Sequence, residues 1–121
     1  MQPQPQYESG YQGRFNPNLS TVITSGQKLS GIIQLGGFEL CGLFIPAAFT
    51  STAITFLASQ DGINFFPVYN TYAGTPLSYV VTPGSYLSIA PVDFDGINYL
   101  KIQTGSNEAA NRTLYAALKG F

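Results

Sequence analysis

Reactive side chains are scarce in this chain. Its acids are Glu8, Glu39, Asp61, Asp93, Asp95 and Glu108, its single thiol is Cys41, and it has no histidine and no tryptophan. Without histidine, the side chain that most often moves protons near neutral pH is missing, and Cys41 has no imidazole to activate it. A lone thiol forms no intramolecular disulfide, and Cys41 is expected to be a small apolar core residue. Cleavage of a glycan needs two carboxyl groups facing each other across a cleft, and only Asp93 and Asp95 are local neighbours. On a loop that pair could bind calcium with backbone carbonyls, but it falls short of the ligand spacing of an EF-hand loop. The expectation is a solvated loop, with no catalytic residue, no metal and no cofactor. Gly36-Gly37 lacks the lysine of a phosphate loop. Asn111-Arg112-Thr113 matches a glycosylation acceptor, but the start Met1-Gln2-Pro3-Gln4-Pro5-Gln6 has neither the basic nor the apolar stretch of a secretory leader. The chain is therefore read as a cytoplasmically made protein that is not an enzyme.

Composition narrows the class further. The chain has 121 residues, is 45% hydrophobic and only 9% charged, and carries a formal net charge of -1. That length suits one domain with a self-standing core. Five cations against six acids give no electrostatic grip on nucleic acid or an anionic membrane. The apolar stretch around Leu40 to Phe49 is broken by Gly42 and Pro46 and is far shorter than the roughly 20 residues a bilayer-spanning helix needs. With so few charges, solvent-facing positions fall to Ser, Thr, Asn, Gln, Gly and Tyr, a surface suited to packing against copies of itself or a larger assembly.

The elements that would position any site are strands. Residues 1 to 18 hold no aliphatic side chain after Met1 and are interrupted by Pro3, Pro5, Gly10, Gly13 and Pro17, so they are read as an extended N-terminal arm. Tyr7, Tyr11 and Phe15 recur every four residues there, and in an extended chain all three rings face one side. From Leu19 to Phe121 the pattern is short β-rich runs cut by Gly, Pro, Asn and Asp at intervals of roughly ten residues. Strands are expected near 20–24, 28–35, 38–44, 53–59, 65–69, 78–82, 86–89, 99–104 and 113–119. An all-β, single-domain, two-sheet β-sandwich follows, of a strand number that fits a jelly roll, although strand order is not readable from the sequence. Asp61-Gly62 marks a hairpin. The string Asp61-Gly62-Ile63-Asn64-Phe65 is echoed by Asp95-Gly96-Ile97-Asn98-Tyr99, with unmatched flanks, so both are read as loops of similar chemistry that lead into a strand.

Several of these segments resemble a family. Residues 31–38 (Gly-Ile-Ile-Gln-Leu-Gly-Gly-Phe), 42–50 (Gly-Leu-Phe-Ile-Pro-Ala-Ala-Phe-Thr), Ile54-Thr55-Phe56 with Ser59-Gln60-Asp61-Gly62, and Tyr99-Leu100-Lys101-Ile102 resemble small virion proteins of tailed bacteriophages, most of all head decoration or cement proteins. The resemblance spans residues 20 to 119 and leaves the arm outside. It implies a structural protein made in the bacterial host cytoplasm and placed on the outer surface of the head. Its partners would be the major capsid protein and copies of itself, in a homo-oligomer; from the arm's own ring spacing, not from the resemblance, Tyr7, Tyr11 and Phe15 are read as inserting into a neighbouring subunit, with Arg14 beside them, as the partner-binding residues. The alternative is a tail-associated adaptor or a receptor- or carbohydrate-binding module, with Tyr69, Tyr72 and Tyr79 exposed around Asn70 to Pro76. The hairpin at Asp61-Gly62 also resembles that of discoidin-like and carbohydrate-binding sandwich domains, with Phe65 where a tryptophan often follows the turn.

Overall fold

A computed structural model describes residues 19–70 and 72–119. The arm residues Tyr7, Tyr11, Arg14 and Phe15 lie outside the described residues. Among the described residues nine strands follow one another: β1 (Ser20–Ile23), β2 (Ile33–Gln34), β3 (Glu39–Phe44), β4 (Ala53–Ser59), β5 (Phe66–Pro67), β6 (Ser78–Val80), β7 (Tyr86–Ser88), β8 (Tyr99–Thr104) and β9 (Arg112–Lys119), with a 3-10 turn at Pro91–Phe94 between β7 and β8. One sheet has the order β1-β9-β3-β7; the other runs β2-β8-β4, with β5 and β6 both paired to the far side of β4. Each of these pairings is antiparallel. With β5 and β6 counted as two pieces of one interrupted edge strand, the chain changes sheet at every connection except the β4–β5 hairpin. That is the strand order of a jelly roll.

Alternation decides what each sheet buries. In β4, Ile54 and Phe56 are buried while Ala53, Thr55 and Leu57 are half-buried, and β8 buries Leu100 and Ile102 in the same rhythm. The opposite sheet contributes Ile23, Leu40, Leu43 and Leu114 to the same core. Phe56 sits at its centre, with Phe94 edge-on at 4.9 Å and Tyr79 edge-on at 5.8 Å between ring centroids. Burying one such ring stabilises the fold by about 2–3 kcal/mol. The 3-10 turn exists to deliver Phe94: Pro91 opens it with a preset φ, and Phe94 is its buried residue.

Four expectations require correction. The strand expected over 28–35 is a ladder only at Ile33–Gln34, because the segment is changing sheets: Ser30 bridges Ile23 in one while Leu29 bridges Gln103 in the other. There the Ser30 hydroxyl replaces the ladder, accepting the Ile102 N–H at 2.8 Å and donating to the Gly31 carbonyl at 2.8 Å. The strand expected over 65–69 is a ladder only at Phe66–Pro67; Val68 N–H still donates to the Phe56 carbonyl at 3.0 Å, and the chain then turns outward into a hairpin at Tyr69 and Pro76. Cys41 is not a core residue. The β3–β9 register slips between Leu40 and Gly42, so Cys41 is the extra residue of a β-bulge, half-buried. Tyr79 lies in the strand expected there, but it is not exposed as the alternative reading requires: it is half-buried and packs on Phe56.

Candidate functional site

The two ends of the sandwich are built differently. At one end the connections around residues 24–27, 49–51 and 105–111 converge on Glu108, whose side chain is wholly buried. Its carboxylate accepts the Thr50 N–H at 3.1 Å, the Thr50 hydroxyl at 3.0 Å, the Ser51 N–H at 2.9 Å and the Ser51 hydroxyl at 2.6 Å. Arg112 Nε completes the shell at 2.8 Å. Its backbone ties in the third connection: Glu108 N–H donates to the Gln27 carbonyl at 3.1 Å and its carbonyl accepts from Gly26 N–H at 2.7 Å. Burial pushes this carboxyl up, but the Arg112 guanidinium, the Ser51 hydroxyl and the Thr50 donors outweigh it and hold the pKa at about 2. The group is thus permanently ionised near neutral pH, with its lone pairs engaged. It is a clamp, not an acid or base for chemistry.

At the other end the two echoed strings lie side by side. Ser59, the last residue of β4, pairs with Tyr99, the first of β8, so the loop leaving one strand and the loop entering the other must meet. Both glycines have the left-handed φ that only glycine takes without strain, 77° at Gly62 and 79° at Gly96. The Asn98 amide donates to the Gln60 carbonyl at 3.3 Å, and the Asn98 carbonyl accepts from Leu35 N–H at 2.9 Å. The aromatic residues that follow the turns cover the end of the sheet: Phe65 lies under Lys101 Nζ, 4.5 Å from the ring centre, and Gly62 rests on the Tyr99 ring.

Between the loops runs a groove of about 710 Å³, lined by Gln60, Asp61, Asn64, Phe66, Asp95 and Ile97 among others. Asp61 is committed to its own loop, accepting Ile63 N–H and Asn64 N–H at 2.8 Å each, the Asn64 side-chain amide at 2.8 Å and the Ser59 hydroxyl at 2.9 Å. The donors of Asn64 and Ile63 hold its carboxyl well below the usual carboxylate range. Asp95 also borders an adjoining cleft of about 350 Å³ that contains Glu39. There the Glu39 carboxyl hydrogen-bonds to Asp95 and faces its charge, which raises the Glu39 pKa despite the opposing pull of Lys119.

A third recess lies beside the outward hairpin. Tyr69, Asn70, Tyr72, Leu77, Val92 and Asp93 line a cleft of about 210 Å³. Tyr72 is 100% exposed and Tyr69 56%, and the Asn70 side chain shapes the tip by accepting Tyr72 N–H at 2.9 Å. Tyr79 is not part of this surface; burial and the nearby Asp93 push its phenol up. Asp93 and Asp95, two apart in sequence, therefore serve different clefts, and among the described residues no group of three or more metal-ligating side chains comes together.

The residue that sequence reasoning missed is Glu108. Its one local signal is the Glu108–Arg112 spacing of four, and that does not distinguish a surface pair from a buried one. No family model matches the chain, and no curated protein matches it.

Proposed function

We propose that the chain is a structural protein of a bacteriophage particle, a head decoration or cement protein that bridges major capsid subunits and packs against its own copies. The observation that carries this reading is the spread of exposed large apolar side chains over separate regions of a rigid, charge-poor body. Ile63 (81% exposed) stands at the groove end, Tyr72 on the hairpin, Val80 (81%) on the edge strand β6, and Phe44 (51%) on a sheet face. Singly exposed apolar side chains are ordinary on any protein, but on a body with only 9% charged residues they suit a subunit wedged among several neighbours, each of which covers a different one. The resemblance of residues 20 to 119 to small virion proteins supports the same reading. Each contact is modest, but repetition by symmetry multiplies them, and together they raise the work needed to burst a shell under pressure from packaged DNA.

The test is localisation. Gold-labelled antibody against the chain, imaged on intact particles, is expected to decorate the head evenly; particles that carry no label overturn the proposal. Deleting residues 1–18 is expected to leave the sandwich folded and to weaken capsid binding through loss of Tyr7, Tyr11, Arg14 and Phe15, and undiminished binding removes the arm from the mechanism.

A second reading rests on the cleft beside the hairpin. Two exposed tyrosines, an asparagine and an acid around one recess offer the stacking faces and hydrogen-bonding groups that a surface glycan requires. This reading makes the chain a tail adaptor or receptor-binding module. It expects label confined to the tail and at least a tenfold loss of cell binding in Tyr69→Ala/Tyr72→Ala.

A further inference from the structure

The outer face of the β1-β9-β3-β7 sheet carries an aromatic row that nothing among the described residues covers. Register aligns Ser20 of β1 with Tyr115 of β9, Tyr115 with Phe44 of β3, and Phe44 with Tyr86 of β7. Alternation turns all four outward: Tyr115 is 50% exposed, Phe44 51% and Tyr86 47%, while Thr21, Leu43 and Leu114 point inward. The Phe44 and Tyr86 rings pack at 4.8 Å with a 51° tilt, and Tyr86 reaches over Gly42. Around the row stand Val22, Thr113, Ala117 and Ser88, so the centre of the face is uncharged, with Glu39 and Lys119 paired at its border.

The size of this face restricts its occupant. Four strands about 4.8 Å apart make it roughly 15 Å wide, a footprint of a few hundred Å² against the about 800 Å² per partner that a stable dimer buries. A flat second copy does not suit it, but one extended segment does. The chain holds such a segment outside the described residues, and it is attached at the row itself, because Ser20 is the row's first member. Phe15 lies five residues before Ser20, a reach of up to roughly 17 Å that spans the row. Asn16-Pro17-Asn18 at its foot are residue types that reverse a chain. A tether this short gives the segment a local concentration on the order of millimolar, which favours its own face over that of another copy.

We propose that in the free protein residues 11–15 lie across the Tyr115–Phe44–Tyr86 row of their own chain, with the rings of Tyr11 and Phe15 directed at the face. This occupancy does not depend on the phage reading: it describes where the segment rests before any partner is met. It also keeps two aromatic surfaces of a charge-poor protein from meeting those of other molecules.

The experiment is photo-crosslinking of the purified full chain, at low micromolar concentration, with a benzophenone amino acid in place of Tyr11. The expected product has the mass of one chain and, after digestion, joins position 11 to peptides that contain Phe44, Tyr86 or Tyr115. In the same protein carrying Phe44→Ser and Tyr115→Ser, both at exposed positions, the yield is expected to fall at least tenfold while the circular dichroism spectrum stays unchanged. Crosslinks found only in dimers assign the face to another copy's segment and overturn the proposal. Crosslinks elsewhere on the body, no crosslinks, or yields that the face substitutions leave unaltered overturn it as well.

Discussion

Glu108 and Glu39 show how one side-chain type takes opposite roles. Glu108 is ionised, buried and surrounded by donors, so its folded pKa of about 2 lies below the ordinary 4.5. Its contribution is complete above pH 4.5 and is lost as pH falls through 2, so the stability of the protein is expected to decline across that acid window in urea titrations. Glu108→Gln leaves the half-buried Arg112 without its charge partner and turns an amide toward the Thr50 and Ser51 donors. It is expected to cost about 3 kcal/mol or more at neutral pH and to flatten the acid decline. Glu39 is the reverse case. Its neutral form is favoured by the hydrogen bond to Asp95 and by that neighbour's charge, so at neutral pH its ionised form opposes folding and acid relieves it. Glu39→Gln is expected to raise Tm at pH 7, with the gain vanishing at pH 3; a lower Tm at pH 7 contradicts the pairing. Gly42 is constrained by space rather than charge. A methyl there would lie against the Tyr86 hydroxyl and 2.7 Å from the Leu87 carbonyl, which is backbone and cannot swing aside. Gly42→Ala is expected to cost about 1–3 kcal/mol, and removing the Tyr86 ring as well is expected to recover only part of that.

At the scale of elements, the interrupted edge formed by β5 and β6 is where the chain departs from a regular sandwich. The excursion from Tyr69 to Pro76 closes on itself, Asn70 N–H donating to the Thr75 carbonyl at 2.7 Å, and its root is held by Leu77 N–H on the Val68 carbonyl at 2.8 Å. Replacing residues 69–76 by a two-residue turn is therefore expected to leave the melting transition within a few degrees of the parent, because none of the hairpin's described residues belongs to the buried core. A collapse of the fold would show that the excursion supports β6. Of the long strands, β8 and most of β4 were legible from alternation, while β3 and β9 were legible as apolar-rich runs bounded by Gly, Pro and Asn. The sheet-changing segment at Leu29 and Ser30 was not, since its composition is strand-like and only the spatial order of β1 and β8 breaks its pairing. The same limit hid Glu108, whose Ser51 and Thr50 donors stand 57 and 58 residues away in sequence. The meeting of the two Asp-Gly-Ile-Asn loops also depends on β4 and β8 being neighbours, which the repeat alone does not reveal.

For the molecule as a whole, the strand lengths follow position. The interior strands run to 6, 7, 6 and 8 residues in β3, β4, β8 and β9. The margins are β1 with 4, β7 with 3, β2 with 2, and the broken pair β5 and β6 with 2 and 3. Unpaired margins are where sheets of different molecules join into fibrils, and most proteins guard them with lysine or other charges. With 9% charged residues this chain has few to place there, so brevity, Pro67 and the outward hairpin take over that duty. The guard against edge-to-edge growth then resides in geometry rather than electrostatic repulsion, and high salt, which strips that protection from charge-guarded sheets, is expected to leave it intact here.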